Sequence, residues 1–350
     1  VLPRDGFGVD TSPPPTHLAR RIRAAAYGIA DRILRVEATD ARAAEAADHF
    51  LSSFHLERLL DPARADDASS VVRVHSELPT PRAPRDWTSF DVAHGRCFSR
   101  DGKLFLDVCD SVVAVGSPSH EIVEVWFGQS ARAQHPTASV NVWSYALQAA
   151  LRRARLFDLH AACVVSPQGR GFLIAGTSGS GKSTLTVQLA ARGWSYLSDD
   201  MVLLRELDER IEARGLRRLF SLSEATARAC NISGLCESLG TPVASDPSKR
   251  RLEPSSVFPG ALAESCFPDC LLFPRVTNEA ASRTRELSNS ETMTRLIKLC
   301  PWAGYDDVTA RDYLGVLAAL ARQTRALELE AGRDLLATPA RVEEIVEGDS

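Results

Sequence analysis

Lysine is nearly absent from this sequence: it occurs only at Lys103, Lys182, Lys249 and Lys298, and almost all other positive charge is arginine. The habit reads as a compositional bias of the source genome. It sets Lys182 apart, because a compact ammonium there does a task that a broad, planar guanidinium does badly. Paired C-x-x-C spacing is missing too. The eight cysteines are Cys97, Cys109, Cys163, Cys230, Cys236, Cys266, Cys270 and Cys300. Only Cys266-x-x-x-Cys270 approaches a metal clip, with no second pair nearby, so reduced buried thiols are expected rather than zinc. No apolar run reaches the roughly 18 residues of a membrane-spanning helix. The first residues carry prolines (Pro13-Pro14-Pro15) in place of a basic-then-apolar signal. A cytoplasmic protein without a membrane partner is the expectation. The formal charge of -4 argues against general nucleic-acid binding, which needs a basic surface.

What is present is a chain of 350 residues, 44% apolar and 25% charged, enough for two domains with real cores. Residues 1–16 read as a loose leader. Residues 17–60, rich in Ala, Arg, Leu and Glu, show helical spacing at Ile22, Ala26, Ile29 and Ile33. After a polar stretch, Val71–Val74, Lys103–Val108 and Ile122–Phe127 read as strands of a small antiparallel sheet, with Asp101-Gly102 a hairpin turn. Residues 17–150 thus form an α+β region, a candidate substrate-recognition module. A helix from about Val142 to Arg155 leads into the second half.

There the pattern sharpens. Ala161–Val165 and Gly171–Ala175 read as strands, followed by Gly176-Thr177-Ser178-Gly179-Ser180-Gly181-Lys182-Ser183, a full match to G-x-x-x-x-G-K-[ST]. A helix follows, then Gly193, then the strand Ser195-Tyr196-Leu197 ending in Asp199-Asp200. Strand, glycine loop, helix and strand make a βαβ unit, so this half is expected to be α/β. Small residues let successive N–H groups turn inward onto phosphate oxygens, and the helix N-terminus adds its positive end. Lys182 is expected to reach the β- and γ-phosphates and Ser183 to ligate Mg²⁺, with Thr184 next on the helix. The nucleotide expected is ATP. Only one short helix separates the loop from the two aspartates, an arrangement that suits a kinase. One carboxylate would take the acceptor hydroxyl's proton and the other would serve the metal. The residues do not divide these roles; Asp199 is taken as base and Asp200 as metal ligand. His160, at the start of the preceding strand, reads as a core histidine on sequence grounds alone.

Taken together, Leu159-His160-Ala161-Ala162, the segment from Phe172 to Leu189, and Gly193-Trp194-Ser195-Tyr196-Leu197-Ser198-Asp199-Asp200 resemble the HPr kinase/phosphorylase C-terminal domain and its related serine kinases. The resemblance covers roughly residues 156–205 and, more loosely, 151–350. It implies a P-loop kinase fold similar to the nucleotide domain of phosphoenolpyruvate carboxykinase, ATP and Mg²⁺ as cofactors, and phosphoryl transfer to a serine-type hydroxyl. It also implies a site role for His160. Glu212, within Ile211-Glu212-Ala213-Arg214-Gly215, would be a metal-side carboxylate. Lys249-Arg250-Arg251 would lend a cation or form a solvated basic loop. The family's arginine-and-glycine segment tied to phosphorolysis has no counterpart, and the N-terminal half is unlike that of HPr kinase. The acceptor therefore stays open between protein, peptide and small molecule, as does homo-oligomerisation. Two other classes stand beside the kinase: a nucleotide-dependent regulator or ATPase, and a small-metabolite kinase whose lid would draw on Arg214, Arg217 and Arg218.

Overall fold

The computed structural model describes residues 23–75, 80–92, 94–108, 110–116, 119, 121–128, 136–243, 246–338 and 340–347. The leader at 1–16, together with Ile22 and Cys109, lies outside them. The described residues fall into two compact units, parted after Ala154. The first also takes in Asp306–Val308, and the second takes in Ser53–His55.

In the first unit, the helical spacing expected over 17–60 gives way to strand at Arg23–Ile29 and Arg32–Ala38. β1 (Arg23–Ile29) and β2 (Arg32–Ala38) form a hairpin running from Arg23 opposite Ala38 to Ile29 opposite Arg32, turning at Ala30 with φ 54°. Ala26, Ile29 and Ile33 are all buried, but on two short strands read end to end, which imitates helical spacing. Tyr27 and Gly28 in mid-segment favour the extended form. Helix begins only at α1 (Ala41–Leu51), where the Asp40 side chain accepts the Ala43 N–H at 2.8 Å.

The remaining elements are β3 (Glu57–Leu59), β4 (Ser70–His75), β5 (Thr88–Val92), β6 (Gly95–Arg100), β7 (Lys103–Val108), β8 (Ser111–Val115), β9 (Ile122–Trp126) and α2 (Pro136–Arg153). The sheet is neither small nor purely antiparallel. It has nine strands in the order β3-β1-β2-β4-β9-β8-β7-β6-β5, and β4 runs parallel to both β2 and β9. The β5–β9 meander and the β1–β2 hairpin are joined locally, whereas β4 pairs with β2 and β9 across longer connections. The Asp101-Gly102 hairpin stands as expected, both residues at positive φ.

The second unit is mixed α/β. It comprises β10 (Phe157–Leu159), β11 (Ala161–Val165), β12 (Gly171–Ala175), α3 (Lys182–Ala190), β13 (Ser195–Ser198), β14 (Val202–Leu207), β15 (Arg210–Gly215), β16 (Phe220–Ser223) and α4 (Glu224–Cys230). There follow β17 (Leu239–Val243), β18 (Asp246–Leu252), β19 (Ser265–Cys266), β20 (Pro268–Val276), β21 (Arg283–Glu286), α5 (Asn289–Leu299), α6 (Trp302–Tyr305), α7 (Asp307–Gln323), β22 (Arg325–Ala331), α8 (Asp334–Ala337) and α9 (Ala340–Glu347). The central sheet has six strands in the order β13-β11-β12-β20-β22-β21. β12 and β13 point the same way but are not neighbours; antiparallel β11 lies between them. The simple βαβ expectation is refined accordingly. Every residue of β12 is buried, and Phe172, Trp194, Tyr196 and Phe220 pack into one core beneath α3.

Strand order and direction determine where chemistry can gather. Ala161 pairs with Ala175, so the start of β11, preceded by His160, lies beside the end of β12. Ser198 pairs with Cys163, which brings Asp199-Asp200 to the same end of the sheet. Parallel β20 and β22 finish there too, at Val276 and Ala331. Sites in sheets of this kind form in the crevice beyond the carboxyl ends of the strands.

Candidate functional site

The loop joining β12 to α3 turns through two residues at positive φ, Gly179 (82°) and Gly181 (103°), the latter as the N-cap of α3. A side chain at Gly176 would meet Ser180 Oγ at 2.6 Å, so the loop closes only around glycine there. Helices α1, α4 and α5 each carry a side-chain cap from Asp40, Ser223 or Ser288, whereas α3 has none. Its first N–H groups are left for an anion, with the helix dipole behind them. Lys182 Nζ lies within the loop's curve, donating to the carbonyls of Gly176 (2.8 Å) and Thr177 (3.1 Å). Burial pulls its pKa below the ordinary lysine value, while Asp200 and Asp199 pull the other way.

The two aspartates occupy different environments. Asp199 is fully buried, and its Oδ2 accepts from the Ser183 hydroxyl (2.9 Å) and the Ser221 N–H (3.1 Å). Its Oδ1 is buried with no hydrogen-bond partner among the described residues. Burial, reinforced by the charge of Asp200, pushes its pKa up to about 7, partly offset by those two hydrogen bonds. Asp200 faces His160 and Arg217. His160 Nε2 lies 2.9 Å from its Oδ1, and Arg217 Nε 3.7 Å from its Oδ2. Burial works against the ionised form of Asp200. The His160 hydrogen bond and the charges of Arg217 and Lys182 outweigh it and hold the carboxyl below the usual range.

These groups line one cleft of about 790 Å³ that also holds the phosphate loop and Lys249. The structure brings together His160, Lys182, Ser183, Asp199 and Asp200, each singled out in the sequence. It does not bring Glu212. That carboxylate pairs with Arg205 (2.6 Å) directly across the β14–β15 ladder and is not among the cleft's lining residues. Arg214 pairs with Glu264 and Arg218 with Glu253, so of the three lid candidates only Arg217 joins the cleft. Of Lys249-Arg250-Arg251, Lys249 reaches the loop, its Nζ 3.2 Å from Ser178 Oγ, while Arg250 is held by Glu224. The role of Ser221 was not legible, because it acts through a backbone N–H that no residue-type motif encodes.

The donor set suits a hydrated Mg²⁺ rather than a closed metal cage. Among the described residues no group of three or more His, Cys, Asp or Glu side chains could hold a metal. Magnesium, though, is bound through one or two carboxylates with phosphates and waters making up the rest. A hydroxyl at Ser183 beside the orphaned Asp199 oxygen fits that requirement. Cys266 Sγ lies 3.4 Å from the buried Cys163 thiol.

A stability consequence follows for Asp199. Its folded pKa lies above the unfolded value, so the native state holds the proton more tightly. That contribution is complete below pH ~4 and is lost as pH rises through about 7. Asp199→Asn, which carries no charge, is expected to be more stable than wild type at pH 8 by on the order of 1–3 kcal/mol. The advantage should shrink towards pH 4. Thermal melts across that range check it; a pH-independent difference would contradict the burial account.

Among the described residues no helix is long and apolar enough to cross a membrane. The chain matches no protein-family model and no curated protein.

Proposed function

We propose that this chain is a Mg·ATP-dependent kinase with a P-loop domain of the HPr kinase type, which transfers the γ-phosphoryl group to a serine-type hydroxyl. One observation carries the reading: a buried carboxylate bound to the phosphate-loop serine stands next to a second carboxylate bound to a histidine. Phosphoryl transfer asks for positioning and charge neutralisation rather than covalent chemistry, and each part has a residue here. The uncapped amides of α3 and the glycine loop hold the phosphates. Lys182 releases its two loop carbonyls to bridge phosphate oxygens, and Lys249 stands beside Ser178 of the loop. The bound metal would neutralise charge between the phosphates; Ser183 and Asp199 would hold it.

The geometry supports the reverse of the division assumed from the sequence. Asp199 shares the Ser183 hydroxyl and so sits on the metal side. Asp200, kept ionised, is the acceptor's base, with His160 donating to it and orienting it. Mixing the chain with γ-labelled ATP and extract from its own cells tests the proposal. Label is expected on a seryl hydroxyl, and Asp200→Asn should abolish it. Release of label only as inorganic phosphate would favour the ATPase reading.

A further inference from the structure

Two thiols outside the cleft meet across a long stretch of chain. Cys163 Sγ and Cys266 Sγ lie 3.4 Å apart, although 103 positions separate them in sequence. Cys163 is fully buried in β11, and Cys266, closing β19, is partly exposed. A side chain at Gly171 would meet Cys266 Sγ at 2.8 Å, so glycine at the start of β12 leaves the room that this sulfur occupies. Among the described residues, Cys230 and the exposed Cys236 make no such sulfur–sulfur contact, though they are close in sequence.

The pair spans a seam. The chain passes directly between the four-stranded sheet β10-β14-β15-β19 and the six-stranded sheet at His160, at Asp199-Asp200-Met201 and at Phe267. The first two crossings hold residues of the cleft. Cys163 belongs to the six-stranded sheet and Cys266 to the four-stranded one, so a bond between their sulfurs would tie the sheets together.

We infer that Cys163 and Cys266 form an oxidation site, at which a peroxide reaching Cys266 closes a disulfide that braces the two sheets. The Cys266 sulfur attacks the peroxide, the O–O bond breaks, and the thiol becomes a sulfenic acid as one water leaves. The Cys163 sulfur then attacks the Cys266 sulfur. The S–S bond forms, the S–O bond breaks, and the released hydroxyl takes the Cys163 proton as a second water. One peroxide thus removes two hydrogen atoms from the pair, and a dithiol restores them. Exposure makes Cys266 the point of entry. Burial, with the neighbouring sulfur, raises the pKa of Cys163, so that thiol waits protonated as the resolving partner. Neither step depends on the kinase reading.

Treating the reduced full chain with hydrogen peroxide, blocking the remaining thiols and mapping the peptides by mass spectrometry tests this. Peptides joined at Cys163 and Cys266 are expected, about 2 Da lighter than the two thiol peptides summed, and a dithiol should part them. Cys163→Ala should leave Cys266 as sulfenic or sulfinic acid without a cross-link. Cys266→Ser, at the more exposed position, should leave Cys163 a free thiol. The oxidised wild-type chain should melt about 5–10 °C above the reduced one, a difference that Cys266→Ser removes. Wild-type Cys163 remaining a thiol after peroxide would overturn the inference, as would a disulfide joining Cys230 to Cys236 alone. A cross-linked chain that melts no higher than the reduced one would overturn the bracing.

Discussion

Replacing Lys182 by Ala is expected to abolish phosphoryl transfer, with a fall of at least about 10³-fold in kcat/KM, because its Nζ is the cation held at the Gly176 and Thr177 carbonyls within the loop. Lys249 stands at Ser178 and is also tied to Asp246 at 3.6 Å. Lys182→Arg should fail almost as badly, since the guanidinium is too broad to enter between the Gly176 and Thr177 carbonyls. The fold should survive both changes, because burial already weighs against the Lys182 charge in the native state. Steady-state kinetics with a thermal melt separate the two effects. Retained transfer in either variant would mean that the loop does not hold the reacting phosphates.

Asp200→Asn should separate binding from chemistry. The amide keeps the shape of the side chain but cannot take a proton, so kcat should fall by about 10²–10⁴-fold. The Kd for Mg·ATP should move by less than about threefold, because on this account Asp200 touches the acceptor rather than the nucleotide. His160→Ala should cost less, about tenfold, and carry a pH signature. Losing the imidazole removes the hydrogen bond that favours the ionised carboxylate, so the pKa of Asp200 rises and the acid limb of kcat/KM moves to higher pH. An unshifted limb would reduce His160 to a packing residue.

The contrast between the two halves shows what a single sequence can carry. The Gly176–Ser183 loop, the strand and helix beside it, and the aspartate pair are contiguous in sequence, and each is marked by local residue types: small residues in the loop, apolar runs beside it, and two aspartates closing a strand. Those were readable directly. The hairpin at Arg23–Ala38 was not, because alanine-rich strands imitate helical spacing and only their pairing with β4 and the rest of the sheet decides the matter. The site shows the same division. Beside the His160 hydrogen bond, Asp200 is held ionised by Arg217, and Asp199 owes a hydrogen bond to Ser221; Arg217 and Ser221 arrive from later in the chain through β15 and β16. Lys249 comes from β18, paired to Ser223. Glu212 failed for the complementary reason. Its local motif fits, but on β15 it stands opposite Arg205, which takes its charge.

The relation of the two carboxylates to the transferring phosphorus is best tested by a crystal structure with Mg²⁺ and a non-hydrolysable ATP analogue. The account predicts the metal between Ser183 and Asp199, and Asp200 with His160 facing the open side of the γ-phosphorus where an acceptor hydroxyl would enter. A bound nucleotide whose γ-phosphate points towards Val276, with Asp199 and Asp200 both turned from it, would contradict phosphotransfer and leave only a nucleotide pocket.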